Sequence, residues 1–186
     1  MNMDKYKIPN VKMFEFTKII GVENIDFGKY IIIDDFVLIY AKNPINIGNY
    51  VHIASFTSIS GGGEFVMGDF SAISSGCRIV TGTDDFKGYG FGNSTIANEF
   101  RNITTGKVSI GKFAIVGGNS VILPGVTIGE GTSVGAGSIV TKDLEPWGIY
   151  IGNKRIGWRN KKEVLKTYEK FKSLSECDQL GTLFNN

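Results

Sequence analysis

Residues 110–140 read Ile-Gly-Lys-Phe-Ala-Ile-Val-Gly-Gly-Asn-Ser-Val-Ile-Leu-Pro-Gly-Val-Thr-Ile-Gly-Glu-Gly-Thr-Ser-Val-Gly-Ala-Gly-Ser-Ile-Val. An aliphatic residue recurs every six positions, at Ile110, Val116, Ile122, Ile128, Val134 and Val140. The residue after each is mostly small, as at Gly111, Gly117, Gly129 and Gly135. Helices repeat at roughly 3.6 residues and half-buried strands at about 2, so neither produces this period. A coil with flat sides, each burying one aliphatic, does produce it. Three such sides close one turn of a parallel β-helix.

Working outward, Ile47, Ile53 and Ile59 keep the spacing, as do Met67, Ile73 and Ile79. Ile25, Ile31 and Val37 fit it more weakly. Between Ile59 and Met67 two residues are inserted, where Gly61, Gly62 and Gly63 stand. Residues 82–106 lack the pattern and contain Thr-Asp-Asp-Phe-Lys-Gly-Tyr-Gly-Phe-Gly-Asn. They are expected to form a loop thrown out from one corner of the coil. Long loops in compact domains are often functional, although solenoid corners also tolerate plain insertions.

This gives three segments. Residues 1–24 are a lead-in, with residues 11–20 expected as a short helix. Residues 25–158 are the β-helix, and Pro146 ends its repeat because proline cannot donate to a ladder. Residues 159–186 hold a C-terminal α-helix and a tail. The helix is carried by Val164, Leu165, Tyr168, Phe171 and Leu174 at amphipathic spacing. The last dozen residues are expected to be loosely held. Phe56, Phe70 and Phe113 are assigned to the flat outer faces. Such faces suit packing against further copies, and a triangular prism closes most naturally as a homotrimer.

The bulk numbers exclude several classes. In 186 residues, 20 basic and 18 acidic side chains leave a net charge of +2, too balanced for a nucleic-acid partner. A late basic cluster, Lys154, Arg155, Arg159, Lys161 and Lys162, suits either phosphates or a solvated helix start. Cys77 and Cys177 are the only cysteines, which suggests free thiols in a reducing compartment. The residues after Met1 contain no apolar signal core. The apolar stretch at 30–40 is broken by Asp34 and Asp35 and is too short to span a bilayer. The expectation is a cytoplasmic protein without membrane insertion.

There is a single histidine, His52, so a three-histidine zinc site cannot be built within one chain; no metal is expected to be required. The glycine pairs fall inside the six-fold repeat and are turn residues, not a dinucleotide cradle. His52 precedes the buried Ile53, so it lies on an edge of the coil, one coil beneath the departure of the loop. Histidine suits proton transfer near neutrality, which makes His52 the candidate catalytic base. Asp84 and Asp85 in the loop are candidates for orienting a histidine or binding substrate hydroxyls. Capping of their own turn is the plain alternative.

The run Leu-Pro-Gly-Val-Thr-Ile-Gly, the Thr-Lys-Asp turn at 141–143 and Gly-Ile-Tyr-Ile-Gly-Asn-Lys-Arg-Ile at 148–156 resemble the hexapeptide-repeat acyltransferases over roughly residues 45–160. Within that superfamily His-Ile-Ala-Ser-Phe followed by a glycine run and Thr-Asp-Asp-Phe-Lys-Gly is similar to acetyltransferases of surface-polysaccharide and nucleotide-sugar pathways. The resemblance implies an all-β, left-handed parallel β-helix, acetyl-CoA as co-substrate and a trimeric assembly. It implies cofactor contacts at Gly118, Ala136, Thr141, Lys142 and Arg155. The galactoside and maltose branch carries a histidine in the loop that here reads Thr-Gly-Thr-Asp-Asp-Phe, where this chain has none. In the amino-sugar N-acetyltransferase branch the usual histidine falls near Asn43, and a second one falls on His52. The implied activity is acetyl transfer to an amine or hydroxyl of a sugar or nucleotide-sugar, in surface polysaccharide (lipopolysaccharide) biosynthesis. A non-catalytic β-helix scaffold, or a small non-sugar acceptor, is the competing expectation.

Overall fold

The computed structural model describes residues 6–184 and is a parallel β-helix with three sides. The first side stacks Val11–Met13, Ile31–Ile33, His52–Ile53, Ala72–Ile73, Ile115–Val116, Ser133–Val134 and Gly148–Ile151, and ends in an antiparallel strand, Lys154–Trp158. Lys18–Ile20, Leu38–Tyr40, Ser58–Ser60, Arg78–Val80, Val121–Ile122 and Ile139–Val140 make the second. The third stacks Ile25–Phe27, Ile45–Ile47, Phe65–Met67, Val108–Ile110 and Thr127–Ile128.

Strands this short cannot hold together by themselves; each is fixed by the coil above and below. Along the first side Ala54 N–H donates to the Ile73 carbonyl at 2.9 Å, Ser74 N–H to Val116 at 2.9 Å and Gly117 N–H to Val134 at 2.8 Å. The aliphatic of each strand points inward. Ile33, Ile53, Ile73 and Val116 pair in register and are all 0% exposed. The six residues of the hexapeptide run are likewise buried, none more than 4% exposed. Burying one such side chain contributes roughly 1.5–3 kcal/mol.

Two expectations near the amino end are corrected. Residues 11–20 are not helical; Val11–Met13 and Lys18–Ile20 are strands of a first coil, so the solenoid begins within the segment expected as a lead-in. Their three-residue apolar pieces satisfy a helical pattern locally, but the pairing of Val11 with Ile31 and of Ile19 with Ile39 decides the conformation. The weak triad Ile25, Ile31 and Val37 is two residues out of register. Phe27 pairs with Ile47, Ile33 with Ile53 and Ile39 with Ile59.

The corners differ from one another. The corner between the second and third sides holds the extra residues of the lower coils, Gly61 and Gly62 among them, and the loop 82–106 leaves from it. The loop is closed at its root by Gly82–Thr83 pairing antiparallel with Thr104–Thr105. The corner between the third and first sides carries Tyr30, Tyr50, Phe70, Phe113 and Trp147, each with φ between 56° and 64°. A bulky residue in that region costs about 1–3 kcal/mol, and ring stacking, at about 0.5–1.5 kcal/mol per pair, offsets part of it. Tyr50 stacks on Phe70 at 4.8 Å and Phe70 on Phe113 at 5.6 Å. Phe36 and Phe56, at the corner between the first and second sides, stack in the same way at 5.0 Å. Phe56, Phe70 and Phe113 are thus corner residues, not residues of the flat faces, and Phe113 is only 8% exposed.

What covers Phe113 is the helix Lys161–Lys172, capped at its start by Asn160, whose side chain accepts from Glu163 N–H. Tyr168 meets Phe113 edge-on at 5.0 Å, and Phe171 meets Phe70 and Tyr50 at 5.3 Å each. The tail beyond is anchored, contrary to expectation. Tyr30 hydroxyl donates to Glu176, Tyr50 hydroxyl to Gln179 at 3.1 Å, and Phe184 packs on Tyr30 at 5.6 Å. No helix among the described residues is long and apolar enough to cross a membrane.

Gly61 adopts φ +113° and a Cβ there would lie 2.2 Å from Gly82 N. Gly137 also has positive φ, +69°, but nothing lies within 4 Å of its Cβ position. Gly61→Ala should therefore lower stability by more than the roughly 1–3 kcal/mol of backbone strain alone, and Gly137→Ala by no more than that amount. Urea denaturation of the two variants checks this; equal losses would mean that the coils give way at Gly61.

Candidate active site

Strand alternation turns Ile53 into the core and His52 outward. Its Nε2 lies 3.1 Å from Asp34 Oδ1, and the two side chains are 47% and 26% exposed. Asp34 follows Ile33, the residue that pairs with Ile53 from the coil below. The carboxylate fixes the orientation of the imidazole and leaves Nδ1 without a partner among the described residues, an arrangement in which a histidine can accept a proton. His52 lines a cavity of about 260 Å³ together with Tyr30, Tyr50 and the tail residues Leu180 and Phe184. The expectation in the sequence attached no chemistry to Asp34. The only available signal was its place one coil before His52, which depends on the coil length.

The loop holds the two aspartates in different roles. Asp84 accepts from Arg101 Nη2 at 2.7 Å. Asp85 accepts from Lys87 N–H at 2.7 Å and from Gly90 N–H at 2.6 Å, one bond to each oxygen. Those backbone donors, that of Gly90 foremost, hold its carboxyl below the ordinary carboxylate range. Asp85 thus caps its own turn. The loop leaves the corner between the second and third sides, and His52 lies on the first side, which faces that corner across the prism. Within one chain the structure does not bring His52 together with Asp84 or Asp85.

The five positions implied for the cofactor fall into two groups. Gly118 and Ala136 occupy the corner between the first and second sides on successive coils, where Gly137 N–H donates to the Gly118 carbonyl at 2.8 Å. Thr141 is close to the terminal hairpin. Its N–H donates to Asn153 Oδ1 at 2.9 Å, and Asn153 Nδ2 donates to Thr141 Oγ1 at 2.6 Å. Asn153 thus ties the end of the repeat to the hairpin, beside Gly152 N–H donating to Ser138 Oγ at 2.9 Å. Lys142, the next residue, is exposed. Arg155 points elsewhere: it pairs with Glu145 and lies 4.1 Å from the ring centre of Trp158.

Comparison with known proteins shows the family. Residues 107–142 match the bacterial transferase hexapeptide (six repeats) model. A dTDP-4-amino-4,6-dideoxy-D-glucose acyltransferase of Escherichia coli is 36% identical over 174 residues, covering 92% of this chain and 90% of that protein. The chain is a hexapeptide-repeat acyltransferase. Its fold superposes on AntD, an N-acyltransferase from Bacillus cereus in complex with dTDP and 3-hydroxybutyryl-CoA, with a TM-score of 0.82, 38% identity and 88% of each chain covered. A variant of AntD in complex with dTDP-4-amino-4,6-dideoxyglucose and Coenzyme A gives the same TM-score at 37% identity. A maltose O-acetyltransferase from Clostridium difficile 630 shares the fold at 23% identity and a TM-score of 0.62, over 75% of this acyltransferase and 73% of that chain.

A depressed carboxyl stabilises the folded loop above its unfolded pKa, about 3.9 for aspartate, and that contribution is lost as pH falls through the lower folded value. Asp85→Asn should therefore speed hydrogen exchange at the Lys87 and Gly90 amides at neutral pH. Wild type and variant should converge in strong acid, once Asp85 is protonated. Identical exchange at neutral pH would show that the turn holds without the carboxylate.

Proposed function

We propose that this acyltransferase carries an acetyl group from acetyl-CoA to the amine of a nucleotide-linked amino sugar. The observation that carries the reading is the likeness, over nine-tenths of the chain, to an acyltransferase named for dTDP-4-amino-4,6-dideoxy-D-glucose. The amine lone pair attacks the thioester carbonyl, the tetrahedral intermediate expels the CoA thiolate, and the nitrogen gives up a proton. A hydroxyl acceptor demands a strong base at the start. An amine demands only a late acceptor for its proton, which suits a chain with one histidine.

Asp34–His52 is the dyad proposed to take that proton, through Nδ1. The loop and His52 lie on opposed parts of one prism, so a complete site calls for a groove between subunits, with the loop of one copy beside the first side of the next. The assembly proposed is a homotrimer. In that groove CoA is placed along Gly118, Ala136 and Thr141, with Lys142 at its phosphates. Arg155 joins Lys142 only if a phosphate displaces Glu145 from its guanidinium. Asp84 is placed toward the acceptor. The reaction is assigned to the cytoplasm, in the making of surface polysaccharide.

Thiol release from acetyl-CoA over a panel of acceptors tests the reading. dTDP-linked 4-amino-4,6-dideoxyhexoses should support turnover, and free sugars such as maltose should not. Turnover with maltose alone would overturn the choice of acceptor. His52→Ala should lower kcat by roughly 10²–10⁴-fold, the usual worth of a positioned base, with CoA affinity kept. A loss under tenfold would leave the amine to shed its proton without this side chain.

A further inference from the structure

One wall of the cavity beside the dyad is not part of the coil. The cavity of about 260 Å³ that His52 lines is bordered from the coil by Tyr30, Tyr50 and Val51, and from the carboxyl-terminal segment by residues 180–184. The coil side is fixed. Val51 is 1% exposed, the Tyr30 and Tyr50 rings lie 5.0 Å apart, and Tyr50 is stacked in turn on Phe70. The carboxyl-terminal side is built differently, and the mechanism gives it no task.

That segment is held lightly, and separately from the helix before it. The helix Lys161–Lys172 is docked on its own account. Tyr168 meets Phe113 edge-on, and Lys112 Nζ lies 4.3 Å from the centre of the Tyr168 ring and 3.1 Å from its hydroxyl. The helix ends at Ser173, and a one-turn helix, Glu176–Gln179, starts afresh with Ser175 Oγ accepting from Asp178 N–H at 3.3 Å. Residues 173–175 are therefore a joint. Beyond it, none of residues 175–184 is buried. The segment is tied to the coil by the Tyr30 hydroxyl on Glu176, the Tyr50 hydroxyl on Gln179, and Phe184, whose ring meets Tyr30 at 5.6 Å and Lys12 Nζ at 5.3 Å. A stretch with no buried side chain, tied at the surface, opens locally at low cost. Its ties land chiefly on the two tyrosines that line the cavity, so seating the segment and shaping the cavity are one event.

Size decides what the seated form can take. Sites that enclose small ligands run to about 300–1,000 Å³. With the segment seated the cavity falls below that range, and a nucleotide-linked sugar is too large for it. We infer that residues 176–184 are a gate on the Asp34–His52 dyad. Seated, they keep the acceptor from entering fully; the acceptor binds when they swing away about the joint at 173–175. This rests on the reading of the dyad as the base for a nucleotide-linked acceptor, and it adds a control on access to it. A seated gate competes with the acceptor, so apparent affinity falls with the fraction of molecules that are open. Weakening the ties should therefore tighten acceptor binding, the opposite of what losing a binding wall would do.

His52 is the only histidine, so its acylation by diethyl pyrocarbonate, read by mass spectrometry, reports access to the dyad with no substrate present. In the full-length protein Glu176→Ala and Phe184→Ala should each raise that rate by at least about twofold, with Tm unchanged. In transfer to a dTDP-linked 4-amino-4,6-dideoxyhexose, both should lower the acceptor KM by at least about threefold and leave kcat and the KM for acetyl-CoA as in wild type. Should Phe184→Ala lower Tm, the Glu176→Ala result decides, because that side chain lies at the surface. An unchanged rate of acylation overturns the gate. So does a raised acceptor KM, which would make the segment a wall of the acceptor site. If acylation quickens in the variants but wild type transfers nothing to the amino sugar, the reading of the reaction falls and the gate stands.

Discussion

The constraint on which the structure depends is registration between coils. Each strand is two to five residues long, and its backbone donors are met by the coil beside it, not by its own segment. An inward aliphatic must therefore fall over the aliphatic below, as Ile73 does over Ile53. A single-residue slip on any side would turn a core residue to solvent and a polar one inward. Changes in length are consequently admitted only where the chain turns from one side to the next. The glycine insertions and the long loop share one corner for that reason, and the two aromatic stacks are confined to the other two.

This division of labour also arranges the chemistry. The first side offers the outward row that holds His52, with Asp34 one coil below. The loop corner, opposite to it, holds Asp84 paired with Arg101. The remaining corner supplies the close backbone of Gly118 and Ala136. A single prism separates these groups, and the proposed homotrimer would set one copy's loop beside another's side. Residues proposed for one reaction thus need not lie near one another in one chain.

The core of the fold was legible because burial and period coincide: the residues six apart from Ile110 to Val140 are those the structure buries. The first coils were less legible. Ile25, Ile31 and Val37 are apolar residues two places from the stacking positions, and only the cross-coil pairing, as of Phe27 with Ile47, Ile33 with Ile53 and Ile39 with Ile59, distinguishes the two registers. The aromatic corners were misread because glycine is the expected occupant of a positive φ, and rings that stack from coil to coil carry no local mark. His52 was legible as a lone histidine outside the core. Asp34, Asn153 and Arg101 were not, since each meets its partner across a separation set by coil or loop length and not by a motif.

The carboxyl-terminal helix has a mechanical consequence. A solenoid whose neighbours touch only each other can fray one turn at a time from either end. Here one short helix and the segment after it run along a single corner, from Lys161 over the Trp147 ring to Phe184 beside Lys12. They bind together turns that share no other contact. Peeling any turn away first requires the splint to lift, so an array of nearly independent layers is made to open as one body.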